Sequence, residues 1–261
     1  MSDFLDVLAT DARTTVASGY YSPTKKLKVC PASLKDAIAK CRKAPVITEI
    51  KAASPSAGII KDNLYPEHLA QAMAKAGSIG ISVLTEPKHF HGSLDNLCRV
   101  REAVDLPILM KDIVVSPLQL AAASRLSANV VLLIQALFDR GYCQENLTQM
   151  IADAHARKLE VLLETHNDDE FDRAVYSDAD LIGINNRNLG SLKLDIKVTK
   201  RILNRKRQRI ANGKPVVSES GIRSSEDVRF LRECGAQAFL VGSAVMLADD
   251  VEKKVRELVN A

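Results

Sequence analysis

Glu49 and Lys51 stand two residues apart at the end of a short, β-branched apolar run that starts at Val46 and reads as a buried strand. A strand alternates its side chains, so this spacing puts both charges on one face. Burying charges is costly unless they pair with each other or with something they bind, so the two are either a structural ion pair or the edge of a site. The polar stretch Ser54-Pro55-Ser56-Ala57-Gly58 that follows reads as a loop, with hydroxyls and a glycine of the kind that meets an anion. The unit recurs along the chain. Lys111 closes an apolar run, as do Glu164, Asn185 with Arg187, Glu219 with Ser220, and Gly242 with Ser243. Three carboxylates and two lysines delivered to one place would be too polar for core packing, and their alternating signs can push acid and base pKa values apart. Ser220-Gly221-Ile222 and Gly242-Ser243-Ala244 each lead toward a helix start, where backbone amides attract phosphate. One Gly-Ser alone would mean only a turn; two such loops on adjacent strands favour a phosphate site.

The elements that must position these residues alternate. Strand-like runs are expected at Val46 onward, Ile79–Thr85, Pro107–Lys111, Asn129–Ile134, Leu159–Glu164, Asp180–Asn185, Pro215–Glu219 and Ala238–Gly242. Amphipathic helical patterns fall between and after them, at Pro66–Ala76, Leu94–Ala103, Pro117–Ser124, Glu145–Lys158, Asp168–Val175, Asp195–Asn204, Ser225–Cys234 and Asp250–Val259. Such alternation implies a parallel sheet with right-handed crossovers, and eight units are what closes a barrel. The expected fold is a single α/β domain, a (β/α)8 TIM barrel over residues 46–261. An open doubly wound sheet is the alternative, disfavoured because no Gly-x-Gly-x-x-Gly follows any strand. Residues 1–45 read as an N-terminal helical extension: Phe4, Leu5, Val7 and Leu8 are spaced for one face, and Ser33 is placed to cap a helix through Cys41.

Composition narrows the function. At 261 residues and 46% hydrophobic, the chain can build one large core, with aliphatic packing dominant because aromatics are only 4%. A formal charge of +4 suits an anionic small molecule without demanding nucleic acid. The basic run Lys200–Arg209 lacks interleaved aromatics and falls on an expected outer helix, where a solvated face is the usual explanation. Cys30, Cys41, Cys98, Cys143 and Cys234 form no Cys-x-x-Cys pair, so reduced thiols in a cytoplasmic protein are expected rather than zinc or disulfides. His89 and His91 bracket Phe90 as His-x-His, but no third ligand is evident beside them, and His166 reads as rimming the mouth. The opening residues lack the apolar core of a signal peptide, and no stretch is apolar enough for a bilayer, so no membrane partner is expected.

Together, Glu49-Ile50-Lys51 with Ser54-Pro55-Ser56, Ile108-Leu109-Met110-Lys111-Asp112, Gly183-Ile184-Asn185-Asn186-Arg187-Asn188-Leu189, Ser218-Glu219-Ser220-Gly221-Ile222 and Val241-Gly242-Ser243 resemble the indole-3-glycerol phosphate synthase family over nearly the whole chain. The resemblance implies a barrel whose N-terminal extension helps cover the site. It implies closure of the indole ring of tryptophan biosynthesis from 1-(2-carboxyphenylamino)-1-deoxyribulose 5-phosphate, with loss of carbon dioxide and water. It implies no metal and no organic cofactor, a phosphorylated small-molecule substrate, and other tryptophan-pathway enzymes as candidate partners. By motif, Lys111 resembles the general acid toward the substrate ketone, Lys51 a substrate contact that serves as acid in dehydration, and Glu164 the matching acid or base. Glu49 resembles a group that orients the two lysines. Asn185, Arg187, Glu219 and Ser220 resemble the groups that hold the substrate's hydroxyls and carboxylate, Glu219 standing among the catalytic set. Ser54, Gly221, Gly242 and Ser243 resemble the phosphate site, and Phe90 is an expected aromatic contact. Two positions depart from the family pattern: Ala52, where a basic residue is usual, and Ile113, where phenylalanine is usual. A Schiff-base aldolase, which also uses a strand-end lysine, and an RNA- or partner-binding barrel are the competing readings.

Overall fold

The computed structural model describes residues 3–55, 58–61, 64–206 and 213–261. The chain opens with helices α1 (Phe4–Ala17) and α2 (Leu34–Lys40), then enters strand β1 (Val46–Ile50) and a small hairpin, β2 (Ala53–Ser54) with β3 (Gly58–Ile59). Helix α3 (Pro66–Lys75), β4 (Gly80–Leu84), α4 (Leu94–Ala103), β5 (Ile108–Lys111), α5 (Pro117–Arg125) and β6 (Val130–Ile134) follow. Next come α6 (Gln135–Asp139), α7 (Leu147–Ala156), β7 (Glu160–Thr165), α8 (Asp168–Tyr176), β8 (Leu181–Asn185) and α9 (Lys197–Lys206). The chain ends through β9 (Val216–Glu219), α10 (Ser225–Glu233), β10 (Ala238–Val241), α11 (Ser243–Met246) and α12 (Val251–Val259).

The strands close into a parallel barrel in the order β1-β10-β9-β8-β7-β6-β5-β4. Each is buried along nearly its whole length, as expected where helices cover the outer face and side chains fill the inner one. Helix starts are set by side-chain caps. Ser93 accepts from the Asn96 amide, Asn146 from Gln149 and Asn167 from Glu170, while Ser116 and Gln119 form a reciprocal capping box. These caps fix where each loop turns back, and hence which residues hang over the barrel mouth.

The two N-terminal helices serve opposite ends of the barrel. In α2, Ser33 caps the Asp36 amide as expected, and Cys41 is the C-cap rather than the last helical residue. Glu160, the first residue of β7, accepts from the Ser33 hydroxyl and the Leu34 amide, so α2 is docked at the strands' N-terminal end with Leu34 fully enclosed. Helix α1 lies at the other end. Asp11 pairs with Lys88 and His89 in the loop after β4, both at 2.8 Å, and Asp3 and Asp6 pair with Arg140 just past α6. The expected apolar face of α1 is rotated from the one its first residues suggested: Leu5, Leu8, Ala9, Ala12 and Val16 are buried, and Val7 is exposed. Of the basic run, Arg201 pairs with Asp195 and Lys200 lies over the Phe230 ring, while residues 207–209 fall outside the described residues.

Candidate active site

Parallel register decides which strand-end residues become neighbours. Leu84 is level with Lys111, Ile134 with Glu164, Glu164 with Gly183, and Asn185 with Glu219. The C-terminal strand ends therefore present one ring of polar groups to a cavity of about 700 Å³. Glu49, Lys51, Ser54, Phe90, Lys111, Glu164, Asn185, Arg187, Glu219, Ser220, Gly221, Gly242 and Ser243 all line it, so the residues expected to act or to bind substrate are brought to the same space. Phe4 and Leu8 of α1 complete the wall, as does Ile113. Ser56 and Ala57 of the expected anion loop lie outside the described residues.

The charges are arranged in two linked groups. Lys51 Nζ lies 2.8 Å from Glu49 Oε1, and Ser82 donates to Glu49 Oε2 at 3.4 Å. Lys111 Nζ lies 3.3 Å from Glu164 Oε2 and 3.7 Å from Glu219 Oε2. Burial alone would strip Lys111 of its proton, but Glu164, Glu219 and Glu49 outweigh it and hold the ammonium well above the usual lysine range. Burial likewise opposes ionisation of Glu164, yet Lys111 and His166 keep it below the usual carboxylate range. Glu49 is also held ionised against burial, chiefly by Lys51 and then Lys111. Glu219 goes the other way: burial, reinforced by the Glu164 charge, pushes it up to about 8. Glu219 is thus the one carboxyl of the three biased toward its protonated form, and neither of its oxygens has a hydrogen-bond partner, Lys111 standing 3.7 Å away.

Two glycines make these approaches possible. A Cβ at Gly183 would lie 2.2 Å from Glu219 Oε1, so the Glu219 side chain reaches Lys111 by crossing bare backbone on β8. A Cβ at Gly242 would lie 2.5 Å from Glu49 Oε1 and 3.1 Å from Lys51 Nζ, which is where the first charge pair rests. Beyond β9, Ser220 adopts φ 65, a left-handed conformation that costs a non-glycine residue about 1–3 kcal/mol. Asn186 holds it there, its amide donating to the Glu219 and Ser220 carbonyls while its oxygen accepts from the Thr199 hydroxyl. Asn185 and Asn186 are adjacent on β8 and its end, so they face opposite ways, Asn185 to the cavity and Asn186 to the outer layer.

Several participants escaped the sequence reading. Gly183 and Asn186 stood inside a quoted motif without a role, and their signal was a glycine within a buried strand and a doubled asparagine. His166 does not rim the mouth: its ring is largely enclosed, 3.2 Å from Glu164 Oε1 and 3.1 Å from Glu170 Oε2. His89 is engaged by Asp11, and its ring packs edge-on against Phe4. Arg223 and Lys254 add cations to the cavity wall. Of the two departures, Ile113 lines the cavity, whereas the Ala52 carbonyl is turned to its own hairpin, accepting from Ile60 and Lys61. Among the described residues no group of three His, Cys, Asp or Glu could hold a metal ion, and no helix is long and apolar enough to cross a membrane.

A family model described as Indole-3-glycerol phosphate synthase matches residues 7–258. The chain belongs to the indole-3-glycerol phosphate synthase family. Relatives of that name include one from Methanocaldococcus jannaschii, 40% identical over 237 residues, covering 90% of this chain and 84% of the relative. Another, from Bordetella pertussis, is 42% identical over 217 residues, covering 83% and 80%. Among solved structures, a thiamine phosphate pyrophosphorylase from Pyrococcus furiosus superposes with a TM-score of 0.59 at 18% identity, covering 87% of this chain and 96% of that one. An N-acetylmannosamine-6-phosphate 2-epimerase from Clostridium perfringens gives 0.60 at 15%, covering 81% and 90%. At such identities the likeness to these two shows the barrel fold alone.

Proposed function

We propose that the mouth closes the indole ring of 1-(2-carboxyphenylamino)-1-deoxyribulose 5-phosphate, with Lys111 as the first proton donor. The observation that carries this reading is the Lys111 ammonium held between Glu164 and Glu219 in the cavity at the barrel mouth. A Schiff-base lysine needs a depressed pKa so that the free amine can attack a carbonyl. The surrounding acids, Glu164 foremost, do the opposite here, which favours the synthase over the aldolase.

The chemistry then follows from the groups at hand. The ring carbon that bears the carboxylate attacks the ketone carbon, and the carbonyl oxygen, becoming an alkoxide, takes a proton from Lys111. Carbon dioxide departs and leaves its bonding electrons to the ring. The new hydroxyl takes a second proton, from Lys51, and leaves as water, while Glu164 accepts the proton released from the adjoining carbon. Two protons are given and one recovered, so one is taken up per turnover, as conversion of a carboxylate to carbon dioxide requires. Glu49 orients Lys51. Glu219, biased toward its protonated form and without a hydrogen bond of its own, is suited to meet a substrate hydroxyl; Asn185, Arg187 and Ser220 bind the remaining polar groups. Ser54, Gly221, Gly242 and Ser243 take the phosphate, whose charge Arg223 and Lys254 would offset, and Phe90 with Ile113 and Leu8 packs the aromatic ring.

In this reading residues 1–45 are an extension of a single domain whose barrel spans 46–261, working in the cytoplasm without nucleic-acid or membrane partners. Other enzymes of tryptophan biosynthesis are its candidate partners. The test is to mix enzyme and substrate, follow indole fluorescence, and repeat with Lys111→Met. Turnover should fall by about 10²–10⁴-fold, the usual loss for a positioned proton donor. Borohydride trapping of a covalent adduct on Lys111 would overturn the mechanism in favour of the aldolase.

A further inference from the structure

We infer that His166 is a positioning residue for the reaction: bridging Glu164 and Glu170 as an imidazolium, it holds one oxygen of Glu164 and leaves the other for Lys111 and the substrate. The inference rests on the proposed role of Glu164 as proton acceptor.

The geometry begins with chain alternation. His166 follows Glu164 by two residues at the end of β7, so both side chains emerge on the same side. Its Nε2 lies 3.2 Å from Glu164 Oε1, and its Nδ1 lies 3.1 Å from Glu170 Oε2 on α8. Nδ1 hydrogen-bonds Glu170, whereas Nε2 meets Glu164 as an ion-pair contact without hydrogen-bond geometry, so it is the two carboxylates on either side of the ring that favour its cationic form. Glu170 is itself fixed, accepting from the His166 backbone amide at 2.8 Å and from the Asn167 side chain at 2.6 Å. The first turn of α8 adds Asp168 and Asp169. On the barrel side, Lys111 of β5 meets Glu164 Oε2, Asn185 reaches it from β8, Glu219 of β9 shares Lys111, and Glu49 with Lys51 stands on β1.

The surroundings favour a cationic ring: His166 stands between the carboxylates of Glu164 and Glu170, and the first turn of α8 adds further acids. With His166 neutral, Glu164 would lose one of the two cations beside it and would regain a proton more readily. It would then no longer serve as a base. Burial opposes the imidazolium, but Glu164 and Glu170 outweigh it and raise its pKa to about 9. A link needed only to fasten β7 to α8 would use Nδ1 and Glu170; Nε2 lies in addition at ion-pair distance from the carboxylate that faces the cavity.

The test has a spectroscopic and a kinetic arm. In protein labelled with ¹⁵N-histidine, the signal absent from His166→Gln should show both ring nitrogens protonated at pH 7.5 and should titrate above pH 8. A neutral ring at pH 7.5 would overturn the inference, whatever the role of Glu164. In His166→Gln, kcat should drop by about 10–100-fold, less than the roughly 10²–10⁴-fold of losing a proton-transfer group, with KM within about threefold. Removing the cation raises the proton affinity of Glu164, so the acid limb of kcat should move up by about one pH unit or more. Glu170→Gln should lower the pH at which the His166 signal titrates, and so reads the bridge even if His166→Gln folds poorly. Unchanged kcat in His166→Gln, or a loss with no movement of the acid limb, would refute the positioning role. Full turnover in Glu164→Gln would instead sink the base reading on which it rests.

Discussion

Gly183→Ala should disable the site without replacing any polar group. The added methyl would stand 2.2 Å from Glu219 Oε1, where ordinary contact begins near 3.4 Å, so the carboxyl must retreat by about 1.2 Å. A second contact, 3.3 Å to the Glu164 Cα, is tight by only a tenth of an ångström. Displacing a catalytic group by about 1 Å costs on the order of 10²-fold, or roughly 2.7 kcal/mol of transition-state stabilisation. Alanine is also less costly than glycine in a strand by roughly 0.5–1 kcal/mol, so the fold should not weaken in proportion. Initial rates by indole fluorescence would give kcat/KM, and urea unfolding would give stability. A double-mutant cycle makes the cause explicit: in a Glu219→Ala background the methyl has nothing to displace, and Gly183→Ala should cost less than about threefold. Activity within threefold of wild type in the single variant, or the same loss in both backgrounds, would refute this account of Gly183.

Two further predictions follow from the buried acids. Glu219 keeps its proton to about pH 8, whereas an unfolded glutamate releases it near 4.5; between these values the folded chain binds more protons, so the stability it contributes is full below about 4.5 and is lost as pH rises through 8. Glu219→Gln should therefore lose less stability than wild type between pH 6 and 9 by urea midpoint, and equal losses would contradict the assignment. Tyr21 donates to both oxygens of Asp112 at 2.9 Å, behind Lys111. Tyr21→Phe leaves that buried carboxyl to Thr85 and the Ile113 amide, and should cost about 1–3 kcal/mol, read as a lower Tm.

The barrel was legible because each strand is buried on both faces and so reads as an unbroken apolar run, bounded by a cap or a turn. Elements too short to show a period were not: α6 spans five residues and α11 four, and the β2–β3 hairpin occupies what the sequence presented as loop. The direction of α1 was misjudged for a related reason. Four apolar residues within five positions wrap most of the way round a helix, and only the later Ala9, Ala12 and Val16 show that Val7 lies on the solvent side.

Charged residues at strand ends marked the candidate site because burying Glu49, Lys51, Lys111, Glu164 and Glu219 is tolerable only where they meet one another or something they bind. What the sequence could not supply was the register between strands that are distant in the chain. Gly183 matters only because β8 lies level with Glu164 on one side and carries Glu219 across it from the other. Asn186 matters only because the β9 loop passes within reach of its amide. His166 is different, since its signal was local: it repeats the two-residue spacing of Glu49 and Lys51, and the capped α8 start that follows brings Glu170 back to its ring. A titratable residue two positions past a strand-end carboxylate shares that carboxylate's face, so the spacing by itself joins such a pair into one electrostatic unit.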